Sequence, residues 1–320
     1  MTKILVTGCL GFIGSHFVKY ILKETDWEIV GFNRHSDQRN LWRLTGVVDG
    51  EDRFHLIYGD LSKNSNVSGI LEDVDYCVNF AAKTFVDHAI RDAFPFVESN
   101  ILGTVNLLEE AKRNKPTLKR YLQVSTDEVY GAILKGSYVE TSCLNPTNPY
   151  AAAKASADMM CVAYYHTYGT PILITRTENN FGEFQHPQKA LPKFVKYAME
   201  GRKLPVYGDG EHSRMWLYVE EHCSAIRHLL LKGDVGQIYH VAGEQELTNN
   251  QLAKIVLETL GKDTSMVEHI DDHNARPGHD RRYALDTKKI RATGWKPKYK
   301  LNDKLQDVIR WYATNDWWSK

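Results

Sequence analysis

The sequence predicts an α/β protein: a doubly wound parallel sheet over the first half and a smaller α/β unit after it. Two observations predict the sheet. Short apolar runs alternate with helical stretches from residue 4 to about residue 176, the pattern of parallel strands covered on both faces. A glycine-rich turn, Val6-Thr7-Gly8-Cys9-Leu10-Gly11-Phe12-Ile13-Gly14-Ser15, joins the first run to the first helix. A third observation sets off the smaller unit. Past about Glu178 the rhythm gives way to loops carrying Pro187, Pro192, Pro205 and Pro277, with Gly208, Gly210, Gly243 and Gly278 among them.

Residues 4–7 read as the first strand and 15–23 as the first helix. Residues 28–32, 55–58 and 76–81 follow as strands, and a helix over 104–114 leads to the strand 121–125. Thr147-Asn148-Pro149 opens a helix at Tyr150, because proline suits the first helical turn and the Thr/Asn pair offers capping oxygens. Residues 172–176 read as a further strand of the same sheet, and short helices over 191–200 and 250–260 belong to the smaller unit. The domains are placed at 1–178 and 179–320, with the chain free to cross back to the first.

With 320 residues the chain can bury a large core. Lys plus Arg and Asp plus Glu each number 40, so no global field favours nucleic acid or a membrane surface, and neither is an expected partner. Cys9, Cys77, Cys143, Cys161 and Cys223 are scattered without paired spacing. Neither a disulfide framework nor a metal site is expected, and each cysteine reads as reduced and buried. Met1-Thr2-Lys3 runs into an apolar strand without a signal-peptide pattern, and no apolar run reaches membrane-spanning length. The expected location is cytoplasmic.

The glycine turn points to a dinucleotide. Glycine lets the chain turn tightly and lets the backbone approach a pyrophosphate. The helix N-terminus then offers free N–H groups and the positive end of its dipole. Strand, turn and amphipathic helix in this order are the context in which such a pattern carries weight. In dinucleotide folds an acid ending the second strand accepts from the ribose hydroxyls. Here that strand ends Gly31-Phe32-Asn33-Arg34-His35-Ser36. Arg34, supported by Ser36 and Arg39, can pair a 2′-phosphate bidentately, which leans slightly to NADP. Asp37, reached by a small shift, is the alternative.

A second constellation is Ser125-Thr126-Asp127-Glu128-Val129-Tyr130-Gly131, with Tyr150-Ala151-Ala152-Ala153-Lys154 on the later helix. A spacing of four puts Tyr150 and Lys154 on one helix face. A nearby ammonium lowers a phenol pKa, so Tyr150 is expected to act as a base toward a substrate hydroxyl that Thr126 orients. Burial and like charge separate the pKa values of adjacent carboxyls, so Asp127 and Glu128 can divide the work of acid and base.

The spacing G-x-x-G-x-x-G with the later Tyr-x-x-x-Lys resembles the extended branch of the short-chain dehydrogenase/reductase superfamily. The resemblance implies a Rossmann-type doubly wound parallel sheet with a smaller C-terminal α/β substrate domain. Asp127-Glu128 resembles the nucleotide-sugar 4,6-dehydratases, above all the dTDP-glucose 4,6-dehydratases. Further family-like segments run along the chain. They include Val86-Asp87, Glu98-Ser99-Asn100 with Gly103-Thr104, Arg176-Thr177-Glu178-Asn179-Asn180-Phe181-Gly182 and Pro205-Val206-Tyr207-Gly208-Asp209-Gly210. Arg214 with Trp216-Leu217-Tyr218-Val219-Glu220, Arg276-Pro277-Gly278-His279-Asp280-Arg281-Arg282-Tyr283 and Gly294-Trp295 extend the match. Trp311-Tyr312 and Trp317-Trp318 are family-like and read as packing.

The resemblance implies NAD(P), tightly bound and recycled: the family favours NAD, while the Arg34 loop resembles the NADP-using GDP-mannose dehydratases. The implied cofactor residues are Gly8, Gly11, Phe12, Ile13 and Gly14, with Arg34, Asp60 and Leu61 toward the adenosine. Ala81, Ala82, Asn100, Tyr150, Lys154 and Asn179 complete them. The substrate is expected to be a nucleotide-diphosphate hexose. Lys189, Arg214 and Arg276 would meet its diphosphate, Asn180 a phosphate or sugar oxygen, and Tyr207 the base. Val86, Leu191, His279 and Tyr283 are further substrate-side positions.

The activity implied is that of a hydro-lyase of deoxysugar biosynthesis. Tyr150 takes the 4-hydroxyl proton, Glu128 the C5 proton, and Asp127 protonates the departing 6-hydroxyl. Helices over 100–114 and 150–165 resemble those of a four-helix contact, which implies a homodimer. Several residues depart from the family pattern. Lys83-Thr84-Phe85 stands for Glu-Ser-His, Met215 for Asp, Glu178 for Ser and Glu183 for Pro. His240 stands for Asn close to the nucleotide. Base and hexose therefore stay open among UDP-, CDP- and GDP-sugars. A nucleotide-sugar 4-epimerase is the alternative enzyme; a cofactor-sensing regulator is disfavoured by the retention of Thr126, Tyr150 and Lys154.

Overall fold

The computed structural model describes residues 1–271 and 280–315. Its strands, in chain order, are β1 (Lys3–Thr7), β2 (Glu28–Asn33), β3 (Phe54–Tyr58), β4 (Tyr76–Asn79), β5 (Arg120–Thr126) and β6 (Ile172–Thr177). There follow β7 (Asn179–Phe181), β8 (Leu204–Tyr207), β9 (Ser213–Tyr218), β10 (Ile238–Val241), β11 (Glu246–Thr248) and β12 (Val267–Ile270). Seven of them form one sheet in the order β10-β6-β5-β4-β1-β2-β3. Every neighbouring pair in it is parallel.

Alternation along each strand feeds both faces of the sheet. Ile4 and Val6 of β1 join the core that holds Phe17, Ile226 and Leu230. Leu5, between them, points into the opposite core with Leu107, Leu108, Cys161 and Tyr164. Helices Phe12–Glu24 and Val219–Lys232 pack together on the first face. Helices Gly103–Arg113 and Pro149–Tyr168 pack together on the second. Burial on both sides is why these strands read as continuous apolar runs rather than alternating ones.

The chain crosses between units. After β7 to β9 it returns with the helix Val219–Lys232 and adds β10 beside β6. The sheet unit thus draws on residues 1–178 and on a later segment around 219–241. The smaller unit holds the β11-β9-β7 and β12-β8 sheets. Helices Ala190–Met199, Asn249–Thr259 and Leu301–Thr314 pack together within it.

Three sequence expectations need correction. The fourth strand ends at Asn79 rather than continuing to residue 81, because the chain there leaves the sheet to pass over the glycine turn. Cys143 is exposed; the other four cysteines are buried, and all five are free thiols. His240 lies in the core rather than beside a nucleotide: its Nε2 meets the Tyr130 hydroxyl at 2.7 Å and its Nδ1 the Asp286 carbonyl at 3.1 Å. Strand β10 carries it there, with its backbone paired to Arg176 of β6. Among the described residues no helix is long and apolar enough to cross a membrane, and no cluster of His, Cys, Asp and Glu could hold a metal ion.

Candidate active site

Strand order reverses between β1 and β4, and a cleft opens at the C-terminal ends of these strands, where open α/β sheets bind ligands. Gly8, Gly11, Gly59, Ala81 and Ala82 line it, with Phe32, Arg34, Asp37, Asp60 and Leu61 toward the β2 side. Gly8 has φ +65°, and a Cβ on it would meet the Ala81 nitrogen at 2.9 Å. A Cβ on Gly14 would lie 2.2 Å from the Gly8 carbonyl oxygen. Both positions therefore require glycine. Gly11 caps the helix Phe12–Glu24, whose first turn contains no acid, so the amides of Phe12 and Ile13 stand at a positive helix end. This cradle fits a dinucleotide pyrophosphate.

At the β2 end, Arg34 is not a free cation. Its Nε and Nη2 donate to Asp37 Oδ2 at 3.2 and 3.0 Å. Both side chains line the cleft, so an acid is present where the strand end alone did not show one. Asp60 accepts from the Ser62 amide at 2.9 Å and so braces its own turn. Leu61 is buried in the second-face core. Asn100 acts through the loop after β4: its amide accepts from Lys83 N–H at 2.8 Å and donates to Lys83 C=O at 3.0 Å. Asn179 opens β7, half-buried, opposite Trp216.

The second constellation assembles where β5 ends. Thr126 caps the short turn Asp127–Tyr130, its oxygen accepting from the Glu128 amide at 3.3 Å. The Thr126 hydroxyl donates to Asp127 Oδ1 at 2.9 Å. Helix Pro149–Tyr168 starts beside it, with Pro149 in its first turn and Asn148 Oδ1 accepting from the Ala151 amide at 2.9 Å. That start brings the Tyr150 phenol into hydrogen bonding with Thr126. Lys154, one turn on, donates from Nζ to the Val124 carbonyl at 2.6 Å.

The electrostatics differ from the sequence expectation at one point. Burial pushes the Tyr150 phenol well up, and Glu128 and Asp127 push it further. Lys154 does not offset this, since its ammonium is directed at a β5 carbonyl and its own pKa is lowered by burial. Asp127 is pushed up to about 7 by burial and by Glu128. Glu128 is also raised by burial, against the pull of Lys189, Arg214 and the Asn148 amide. The site thus holds a phenol, a neutral-range carboxyl and a second carboxyl with cations beside it. Such a set can remove and deliver protons at different atoms.

On the substrate side, Arg214 lies over the Tyr283 ring at 4.4 Å and acts on both Asp127 and Glu128. It donates to the carbonyls of Ser213 at 2.7 Å and Asp280 at 2.9 Å. Lys189 sits 4.7 Å over the Phe85 ring and acts on Glu128, which places it nearer the carboxyls than the sequence implied. Val86 packs with Phe96, Tyr150 and Ala153. Tyr207 ends β8, half-buried. Two expected contacts change character. Leu191 is fully buried in the core, in the first turn of the helix Ala190–Met199. The Asn180 amide donates to Thr177 Oγ1 at 3.1 Å and Glu178 C=O at 3.0 Å, holding the β6–β7 junction. Arg276 and His279, like Trp317 and Trp318, lie outside the described residues.

Three residues that sequence reasoning did not place in the site belong to it. Asn148 donates to Glu128 Oε2 at 3.4 Å. Asp280 accepts from Thr147 and from the Tyr283 hydroxyl, each at 2.6 Å, which ties the helix start to the second unit. Glu178 is buried beside Asp127. Its signal in the sequence was an acid directly after the buried strand Ile172–Thr177.

The chain resembles characterised proteins over its full length. A family model described as GDP-mannose 4,6 dehydratase matches residues 5–308. The low-salt glycan biosynthesis protein Agl12 of Haloferax volcanii is 41% identical over 313 residues, covering 98% of this chain and 99% of its own length. The dTDP-glucose 4,6-dehydratase of Streptomyces niveus is 41% identical over 323 residues, covering 99% of this chain and 94% of its own. Among solved structures, dTDP-glucose 4,6-dehydratase from Bacillus anthracis in complex with NAD matches with a TM-score of 0.91 and 39% identity, over 100% of this chain and 99% of that one.

Proposed function

This chain belongs to the GDP-mannose 4,6-dehydratase family and is an NAD(P)-dependent nucleotide-sugar 4,6-dehydratase, a hydro-lyase, and on that premise we propose how its residues carry the reaction. The observation that carries the proposal is the placing of Asp127 and Glu128 against Thr126 and Tyr150, beside the glycine cleft.

The cofactor supplies a hydride acceptor for C4 and the hydride that C6 receives. Tyr150 takes the 4-hydroxyl proton as that carbon is oxidised, with Thr126 holding the hydroxyl in line. To accept that proton Tyr150 must first be a phenolate. Burial with Glu128 and Asp127 holds it as the phenol in the free protein, so the positive charge that an oxidised nicotinamide would bring is what would favour its ionisation. The 4-ketone acidifies the C5 proton, which Glu128 removes. Asp127 protonates the 6-hydroxyl, which departs as water. Arg214 and Lys189, whose charges reach Glu128 through space, bind the substrate diphosphate at the mouth of the site. A dTDP-hexose is the substrate favoured by the relatives' names. The Arg34–Asp37 pair favours NAD, because a 2′-phosphate would meet the Asp37 carboxylate and compete for Arg34.

An apolar face supports a homodimer. Ile101, Leu144, Pro146, Ala152 and Met159 line a groove beside the helices Gly103–Arg113 and Pro149–Tyr168. Met159 is 54% exposed and Leu102 45% exposed. A second copy of the same face would bury them as a four-helix contact.

The test is purified protein incubated with NAD and dTDP-glucose, with the product weighed by mass spectrometry. A product lighter by one water is expected. Unchanged mass with inversion at C4 would replace this reading by a 4-epimerase. The mass of dinucleotide released on gentle denaturation decides between NAD and NADP.

A further inference from the structure

Glu178 is a buried carboxyl that the mechanism above does not use. It sits between β6 and β7 and is 4% exposed. Its Oε2 accepts from the Met215 amide of β9 at 3.1 Å, and the Leu285 amide also bears on the carboxyl. Its Oε1 is buried without a hydrogen-bond partner. Asp127 has the same defect. Oδ1 is satisfied by the Thr126 hydroxyl, and Oδ2 is buried without a partner. An unsatisfied buried acceptor destabilises the fold, so each oxygen calls for a donor.

The charges around the two groups decide which holds a proton. Asp127 faces Glu128 on its own turn, Tyr150 on the adjoining helix, and Arg214 on β9. Arg214 favours its charged form. Thr126 of β5 is paired with Thr177 of β6, so Asp127 and Glu178 leave adjacent strand ends side by side. Glu178 thus faces Asp127 on the turn and also Glu246 on β11, both acids. The cation near it, Arg282, is bidentate to Glu246. Two neighbouring buried carboxyls cannot both ionise, and the one among acids keeps the proton.

We propose that Glu178 is a positioning residue for water elimination: it stays protonated and donates its carboxyl O–H to Oδ2 of Asp127, an inference that rests on the acid role given to Asp127 above. One hydrogen satisfies both orphan oxygens, since the Oε1 hydroxyl becomes the donor and Oδ2 the acceptor. The elimination then balances as follows in atoms and electrons. Glu128 takes the C5 proton, and the C5–H electron pair becomes the C5=C6 bond. The C6–O bond breaks as Asp127 passes its proton to that oxygen, and water leaves. The new Asp127 carboxylate keeps the Glu178 hydrogen bond, and the Glu178 proton does not transfer.

Two variants and one spectrum test this in the full-length holoenzyme. Glu178→Gln keeps a neutral donor and an acceptor for the Met215 amide; it should keep kcat and the pH dependence of kcat/KM. Glu178→Met removes the donor at similar volume. It should lower kcat about 10- to 100-fold with little change in KM, the loss of one hydrogen bond to a charged group, and should move the Asp127 limb to higher pH. A Glu178→Gln limb moved to lower pH would mean that Glu178 is normally ionised, which overturns the proposal. So would wild-type kinetics in Glu178→Met. Infrared spectra at about pH 8.5, above the point where an Asp127 near 7 has ionised, should show a carboxylic-acid carbonyl band. That band should vanish in Glu178→Gln and persist in Asp127→Asn. Its absence from the wild type overturns the proposal, and this arm decides even if Glu178→Met fails to fold. The spectrum needs no turnover, so a failure of the dehydratase reading, seen as no dehydrated product from wild type, is told apart from a failure here.

Discussion

Asp127→Asn separates the charge of this side chain from its shape. Folding raises the carboxyl from 3.8 to about 7, because burial and Glu128 both disfavour the carboxylate. Between those values the folded protein binds more protons than the unfolded chain. Stability therefore falls as pH rises through this window, and the full penalty is present above about 7. A shift of about three units at ~1.36 kcal/mol per unit sets a ceiling of about 4 kcal/mol. The amide does not titrate and carries none of this. Urea unfolding of both proteins at about pH 4.5 and about pH 8 isolates the effect, since differences of shape and packing are common to both pH values. Wild type should lose up to about 4 kcal/mol relative to the variant across that interval. A stability difference that stays constant with pH would refute the reasoning. The same variant should still oxidise C4, seen as absorbance of the reduced cofactor, while water elimination falls by about 10²–10⁴-fold. In wild type, kcat/KM should decline above about pH 7 as Asp127 loses its proton.

Gly14→Ala places a methyl carbon 2.2 Å from the Gly8 carbonyl, so the variant should purify without bound dinucleotide and melt at lower temperature; mass spectrometry and calorimetry check this. Tyr150→Phe keeps the edge-to-face packing on Phe96 but removes the hydroxyl bonded to Thr126. Its melting temperature should be close to wild type and its kcat lower by about 10²–10⁴-fold. Asp37→Ala releases Arg34 and should weaken NAD more than NADP, read as the ratio of their dissociation constants. Met159→Glu puts a charge on the apolar groove and should yield monomers in light scattering.

The glycine turn was legible residue by residue. Gly8, Gly11 and Gly14 owe their identity to backbone approaches within one short segment, and local approaches show in local sequence. Tyr150 and Lys154 were legible for the same reason, through helical spacing. What their neighbours do to them was not. Lys154 was expected to acidify Tyr150, but the β5 carbonyl of Val124, 30 residues away in sequence, takes its hydrogen bond. Asp37 stood in the sequence only as the alternative to Arg34, because it is a 3-10 turn from His35 that folds it back into the cleft. Leu191 and Asn180 were placed by motif at the substrate, and packing turned the first into core and the second into a strap of the β6–β7 junction.

By itself the sequence determined the parallel sheet and the dinucleotide turn, which rest on periodicity and short-range geometry, while it offered Thr126, Asp127, Glu128, Tyr150 and Lys154 as a set through helical spacing and family resemblance. Only the tertiary structure decided that β10 closes the sheet from late in the chain and that Glu178 stands against Asp127. It likewise decided that the carboxyls are raised and the phenol is raised further. The physical reason is that desolvation and charge act through space: a side chain's pKa depends on what surrounds it after folding, and those surroundings come from β5, β9 and the helix at Pro149 at once.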